Sequence, residues 1–181
     1  MKKILLILGL GVSLFGQAQS FYESFDDGDL ITPPYTWSSP GGGWTVIGTA
    51  TAGPNTTPSN TLRLAAPAAG TYSISTPNSN WGSSQGWGFW MGRNTPANAN
   101  NNQYFWLYSD QADVTSATRN GYRIALTGTG GPEEIRLERV NGTTVTTIIT
   151  STQGIPAGLA DYAFLVRVTR SSSDVWNLYT G

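Results

Sequence analysis

Apolar and polar residues alternate along this chain in short runs, and Gly, Pro, Ser and Asn interrupt the runs. Alternation with a period of two marks a strand with one buried and one solvated face, whereas a helix needs apolar positions three and four apart. No stretch longer than about ten residues keeps helical spacing. The pattern predicts short strands over 22–25, 44–48, 61–65, 71–75, 86–92, 103–109, 122–127, 135–140, 144–150, 162–170 and 175–179. Strands of this length, separated by turn-rich loops, indicate an all-β sandwich or barrel.

One hairpin is legible residue by residue. Ile135 and Leu137 alternate with Glu134, Arg136 and Glu138, giving one apolar face and one charged face. Asn141-Gly142 follows, and the run resumes from Thr143 to Ile149. Asn-Gly tolerates positive φ at two successive residues, which predicts a type I′ turn centred on that pair. The richest strand is Tyr162 to Arg170. There Phe164, Val166 and Val168 are expected in the core, with Leu165 and Arg167 on the opposite face.

The N-terminus is of a different kind. Met1, Lys2 and Lys3 precede an apolar run from Ile4 to Phe15, and Gly16-Gln17-Ala18 puts small residues where a signal peptidase cuts. A run of about a dozen apolar residues is too short to span a bilayer stably. Residues 1–18 therefore read as a secretory signal peptide, cleaved after Ala18 or Gln19, and residues 20–181 as one domain. The expected location is outside the cell or on its outer surface, with no membrane span left after cleavage. No internal repeat and no linker divides the remainder.

Composition then narrows the chemistry. Both lysines lie in the signal segment, and the chain has no His and no Cys. A Ser-His pair, an imidazole or thiolate metal site, a disulfide and a lysine Schiff base are thereby excluded beyond the leader. Eight Arg against eleven Asp and Glu leave a net charge of −3 after the leader, which argues against nucleic acid as a partner. Carboxylates, hydroxyls, Arg and seven Trp remain. That inventory suits extracellular binding better than catalysis, and the chain is expected not to be an enzyme.

An ordered series of motifs adds a resemblance. Phe25-Asp26-Asp27-Gly28 is followed by Trp37, then Gly86-Trp87-Gly88-Phe89-Trp90, then Tyr104-Phe105-Trp106-Leu107-Tyr108-Ser109-Asp110. Asn120-Gly121-Tyr122-Arg123-Ile124, Ile135-Arg136-Leu137, Val166-Arg167-Val168-Thr169-Arg170 and Trp176-Asn177-Leu178-Tyr179 complete it. The series covers nearly all of residues 20–181 and resembles the concanavalin A-like (laminin G-like) sandwich of secreted Bacteroidetes multidomain proteins. The resemblance implies a jelly roll of two antiparallel sheets, a non-catalytic role and further domains on the same polypeptide. The final strands of such a sandwich are missing from the series, so the domain is expected to be truncated at its C-terminus.

Three constellations carry candidate chemistry. The first is a stacking platform for a glycan or polysaccharide. Alternation puts Tyr104, Trp106 and Tyr108 on one face of 103–109, with Phe105 and Leu107 on the other. Trp90, flanked by Gly88 and Gly92, is expected to join the platform from a neighbouring strand, with Arg93, Asn94, Asn102 and Asp110 as polar partners. Burial of both faces is the competing reading of the same aromatics. The second is a structural calcium site at Asp26, Asp27 and Asp29, where three carboxylates crowd one Gly-containing turn; Asp and Gly also build such turns without a metal. The third is a glycosidase pair at Glu134 and Glu138. These share a face but stand roughly 13 Å apart along a strand, against the 5–5.5 Å or so that a retaining enzyme needs. A solvated Glu-Arg-Glu ladder explains them better.

The function expected from the sequence is a secreted, non-catalytic, lectin-like module of a larger extracellular or cell-surface protein. A structural or adhesive spacer, and a degenerate glycoside hydrolase fragment, are the alternatives.

Overall fold

A computed structural model describes residues 25, 27–31, 36–39, 42–48, 51–52, 55–56, 60–77, 82–93, 102–127, 133–155 and 162–181. Regular structure among them is all strand, and every strand pair is antiparallel. In chain order the strands are β1 (Trp44–Gly48), β2 (Thr51–Ala52), β3 (Asn55–Thr56), β4 (Asn60–Leu64), β5 (Gln85–Arg93), β6 (Gln103–Ser109), β7 (Asn120–Thr127), β8 (Glu133–Asn141), β9 (Thr144–Ile155), β10 (Tyr162–Arg170) and β11 (Trp176–Thr180). No described helix is long and apolar enough to cross a membrane.

Two sheets form the sandwich. One is a four-stranded meander, β6-β7-β8-β9, and the other has the order β11-β10-β5. Two short pairs, β1-β4 and β2-β3, accompany them. The expected strand at 71–75 is absent; Ser75 makes a single antiparallel bridge to Ser38. Most of the strand expected at 22–25 lies outside the described residues.

The core lies between the two larger sheets. Leu107, Ile124, Leu126, Ile135 and Leu137 enter it from one side, and Met91, Phe164, Val166 and Val168 from the other. Phe164, Val166 and Val168 therefore point inward as expected, and so do Ile135 and Leu137. Full burial of side chains of this kind is worth about 1.5–3 kcal/mol each. Aromatics close the core at its rim. Trp176 of β11 stacks parallel to Trp87 of β5, with centroids 5.9 Å apart, and lies 4.6 Å from Tyr122 of β7. Phe89 stacks on Phe105 at 3.6 Å, joining β5 to β6 across the sandwich. Ser151 of β9 and Thr180 of β11 place their hydroxyls 3.3 Å apart, where the two sheets also approach.

Two local features depart from the sequence expectation. The β8–β9 turn is displaced by one residue: Asn141 pairs with Thr144, so Gly142 and Thr143 are the central pair. Gly142 has φ +61°, while Asn141 and Thr143 stay out of the positive region. A single positive φ at the first central position is the pattern of a type II′ turn, which demands left-handed geometry of one residue and not two. The second feature is a bulge in β6. Trp106 pairs with Arg123 and Tyr108 with Tyr122, so Leu107 and Tyr108 together oppose one residue of β7. Close approach of backbones accommodates it: a Cβ on Gly121 would lie 2.1 Å from the Tyr108 carbonyl oxygen.

Candidate functional site

The outward face of the four-stranded sheet is assembled in rows across the strands. Cross-strand partners project to the same side. Register therefore aligns Trp106, Arg123, Glu138 and Thr147 in one row, and Tyr104, Ala125, Arg136 and Thr150 in the next. Tyr104 and Trp106 occupy the outer side of β6, as their spacing predicts. Leu107 is buried, and Phe105 points inward at the rim.

The bulge removes Tyr108 from this row. It sits opposite Tyr122, which packs against the core, so the three-aromatic platform expected from strict alternation is reduced to two rings. One extra residue reverses side-chain parity for the rest of a strand, and nothing in the composition of Gln103–Ser109 announces where that residue goes. Trp90 is displaced further. β5 pairs with β10 and not with β6, and Trp90 stands opposite Leu165 on the outer face of the other sheet, 38% exposed. Trp90 and Trp106 thus belong to opposite faces of the molecule.

Arg123 is the residue around which the outer row is built, and it was not among the expected site residues. Its Nε donates to Glu138 Oε2 at 2.8 Å, and the two side chains are only 9% and 7% exposed. Its guanidinium carbon lies 3.8 Å from the Tyr104 ring centroid and 5.6 Å from that of Trp106. Arg119, from the loop before β7, approaches Trp106 at 5.7 Å. Guanidinium groups stack on aromatic faces because the cation meets the negative side of the ring quadrupole. The two rings thus shield a buried ion pair from water. Tyr104 nevertheless keeps 42% of its surface exposed, and Trp106 is half-buried and not enclosed. The sequence signal for Arg123 was present, as an Arg in the middle of a strand otherwise apolar from Tyr122 to Leu126, but its carboxylate partner is fifteen residues away.

Each carboxylate of the glycosidase candidate faces an Arg. Glu138 accepts from Arg123, and Glu134 accepts from Arg136 Nε at 2.8 Å. Both residues do share the outer face, with Arg136 between them on the strand.

The polar partners expected around the platform are scattered. Asn102 is exposed just before β6. Arg93 pairs with Tyr162 through the β5–β10 ladder; its side chain, like the whole of Asn94, lies outside the described residues. Asp110 is engaged locally. Asn120 donates to its two oxygens, from the backbone N–H at 2.6 Å and from Nδ2 at 2.8 Å, closing the 110–120 loop. The Asn120 backbone bond, seconded by its side chain, holds the Asp110 carboxyl below the ordinary value. Asp113 is lowered likewise, first by the Thr115 hydroxyl at 2.6 Å and then by the Thr115 N–H at 2.9 Å.

At the candidate calcium site, Asp26 lies outside the described residues. Asp27 Oδ1 accepts from the Asp29 N–H at 3.3 Å, and Asp29 Oδ1 accepts from the Ile31 N–H at 2.9 Å. Gly28, at φ +78°, completes the turn. These carboxylates act as turn formers. Calcium takes about six to eight oxygens, and among the described residues no three acidic side chains converge.

No protein-family model, no curated protein and no solved structure matches this chain.

Proposed function

We propose that the chain is a secreted, non-catalytic carbohydrate-binding module of a larger extracellular or cell-surface protein, built on a concanavalin A-like sandwich. The observation that carries this reading is the Tyr104 ring, braced on one face by the Arg123 guanidinium and open to solvent over much of the rest. A fixed ring with a free face suits the C–H surface of a pyranose, and the immobilisation is complete before ligand arrives, which lowers the entropy lost on binding. Trp106 extends the apolar surface. Arg136 and Glu134, each partly exposed, and the exposed Thr147 and Thr150 offer hydroxyl-binding groups on the same face.

Titration of the purified protein with a panel of neutral polysaccharides tests the reading. Tryptophan fluorescence should shift with at least one of them, and Tyr104→Ala should abolish the shift while the far-ultraviolet circular dichroism stays unchanged. Silence across the panel would overturn it. Release of reducing sugar, removed by Glu134→Gln, would instead establish an enzyme.

One observation favours the alternative of a structural spacer. The same rings lie over a buried ion pair, and shielding that pair is by itself a sufficient reason for aromatic side chains at 104 and 106.

A further inference from the structure

The outer face of the three-stranded sheet has a different charge character from that of its counterpart. β5, β10 and β11 contain no Asp or Glu, whereas β8 places Glu134 and Glu138 on the outer face of the other sheet. At the centre of the outer face stands Arg167, exposed, and among the described residues it has no carboxylate partner. Register sets Tyr179 of β11 directly beside it on one side and Gly88 of β5 on the other. Trp90, beside Leu165, follows in the next row. Tyr179 is 55% exposed and Trp90 38%. From strand spacing and rise, the backbones at Trp90 and Tyr179 are about 12 Å apart, with Arg167 between them. A cation between two exposed rings, on a sheet without acids in a chain of net negative charge, is complementary to an anionic, ring-containing polymer. The planar guanidinium fork matches a carboxylate through two parallel hydrogen bonds.

We propose that this face is a second polysaccharide surface, selective for chains that contain hexuronate, with Arg167 holding a uronate carboxylate and Trp90 and Tyr179 stacking on the flanking sugar rings. The proposal rests on the reading of the chain as a polysaccharide-binding module, but it uses none of the residues on the four-stranded sheet.

Isothermal titration with polygalacturonate and with its carboxyl-reduced, neutral derivative tests it. The acidic polymer should bind, more weakly as salt is raised, and the neutral derivative at least tenfold more weakly. Arg167→Gln and Tyr179→Ala should each lower affinity for the acidic polymer tenfold or more. Equal binding of the two polymers, or full affinity in Arg167→Gln, would overturn the assignment. Failure of polygalacturonate to bind, alongside Tyr104-dependent binding of a neutral polysaccharide, would overturn this surface and leave the module's function standing. Absence of binding to every polysaccharide would remove both.

Discussion

The guanidinium of Arg123 lies 3.8 Å from the centre of the Tyr104 ring, on the outer face of a sheet whose other face forms the hydrophobic core. The two residues are diagonal neighbours, since Tyr104 stands opposite Ala125 and Arg123 opposite Trp106. Diagonal neighbours across an antiparallel pair are within reach of long and aromatic side chains. Tyr104 therefore serves two ends: one side of the ring screens a charge, and the rest of it faces solvent.

The screening contribution is separable from the hydroxyl. Cation–π contacts in partly desolvated sites are worth on the order of 1–2 kcal/mol. Tyr104→Ala should lower unfolding free energy by about that amount, and Tyr104→Phe, which keeps the ring, by less than half of it. Urea denaturation of the three proteins checks this. Equal loss in both variants would assign the stabilisation to the hydroxyl.

Glu138 and Arg123 are buried together, so removing one leaves the other without compensation. Glu138→Gln is expected to cost about 3–5 kcal/mol. Replacing both, as in Arg123→Met with Glu138→Leu, should restore most of that, because two apolar groups leave no orphan charge. A double mutant as unstable as the single one would show that the pair stabilises beyond its desolvation cost.

Two glycines of the sandwich should respond oppositely to alanine. A Cβ on Gly121 meets the Tyr108 carbonyl oxygen at 2.1 Å, and that atom belongs to the backbone. Gly121→Ala must disturb the β6 bulge and should destabilise by at least about 1–3 kcal/mol. A Cβ on Gly88 meets nothing within 4 Å. Gly88→Ala should be neutral or stabilise by up to about 0.5–1 kcal/mol, since alanine in a strand has less backbone freedom to lose. Thermal melts of the two variants decide the contrast.

Acid should loosen the 110–120 loop. The folded-state pKa values of Asp110 and Asp113 are lowered by donors from Asn120 and Thr115. A lowered carboxyl contributes stability that is present above its unfolded value, near 3.8, and is lost as pH falls through the lower folded value. Amide exchange at Asn120 should therefore be slow at neutral pH and accelerate, relative to core amides, below about pH 4. In Asp110→Asn that pH-dependent increment should vanish. An unchanged increment would place the titrating group elsewhere.

Much of the fold was legible because strand parity is a local property. The alternation at Ile135 and Leu137, at Phe164, Val166 and Val168, and at Phe105 and Leu107 gave the inward faces correctly, and each prediction needed only neighbours in sequence. Three things were not local. The β6 bulge depends on the backbone of Gly121 approaching Tyr108. The placement of Trp90 depends on β5 pairing with β10, more than sixty residues downstream. The turn at Gly142-Thr143 is tied to the loop before β7, since the Gly142 N–H donates to the Arg119 carbonyl at 2.8 Å and a Cβ there would crowd the Ala117 oxygen. The platform was half legible for the same reason: Tyr104 and Trp106 precede the bulge, and Tyr108 follows it.

The ion pair of β7 and β8 bears on how the chain finds its own alignment. Sliding one strand by a single residue is already opposed, because it would turn the apolar set of one strand to the wrong side. A slide of two residues keeps the apolar sets together and is not opposed by hydrophobicity. It would bring Arg123 level with Arg136 in one direction and with Val140 in the other. Either arrangement strands a charge away from water. The salt bridge thereby rejects the misalignments that greasy side chains alone would tolerate.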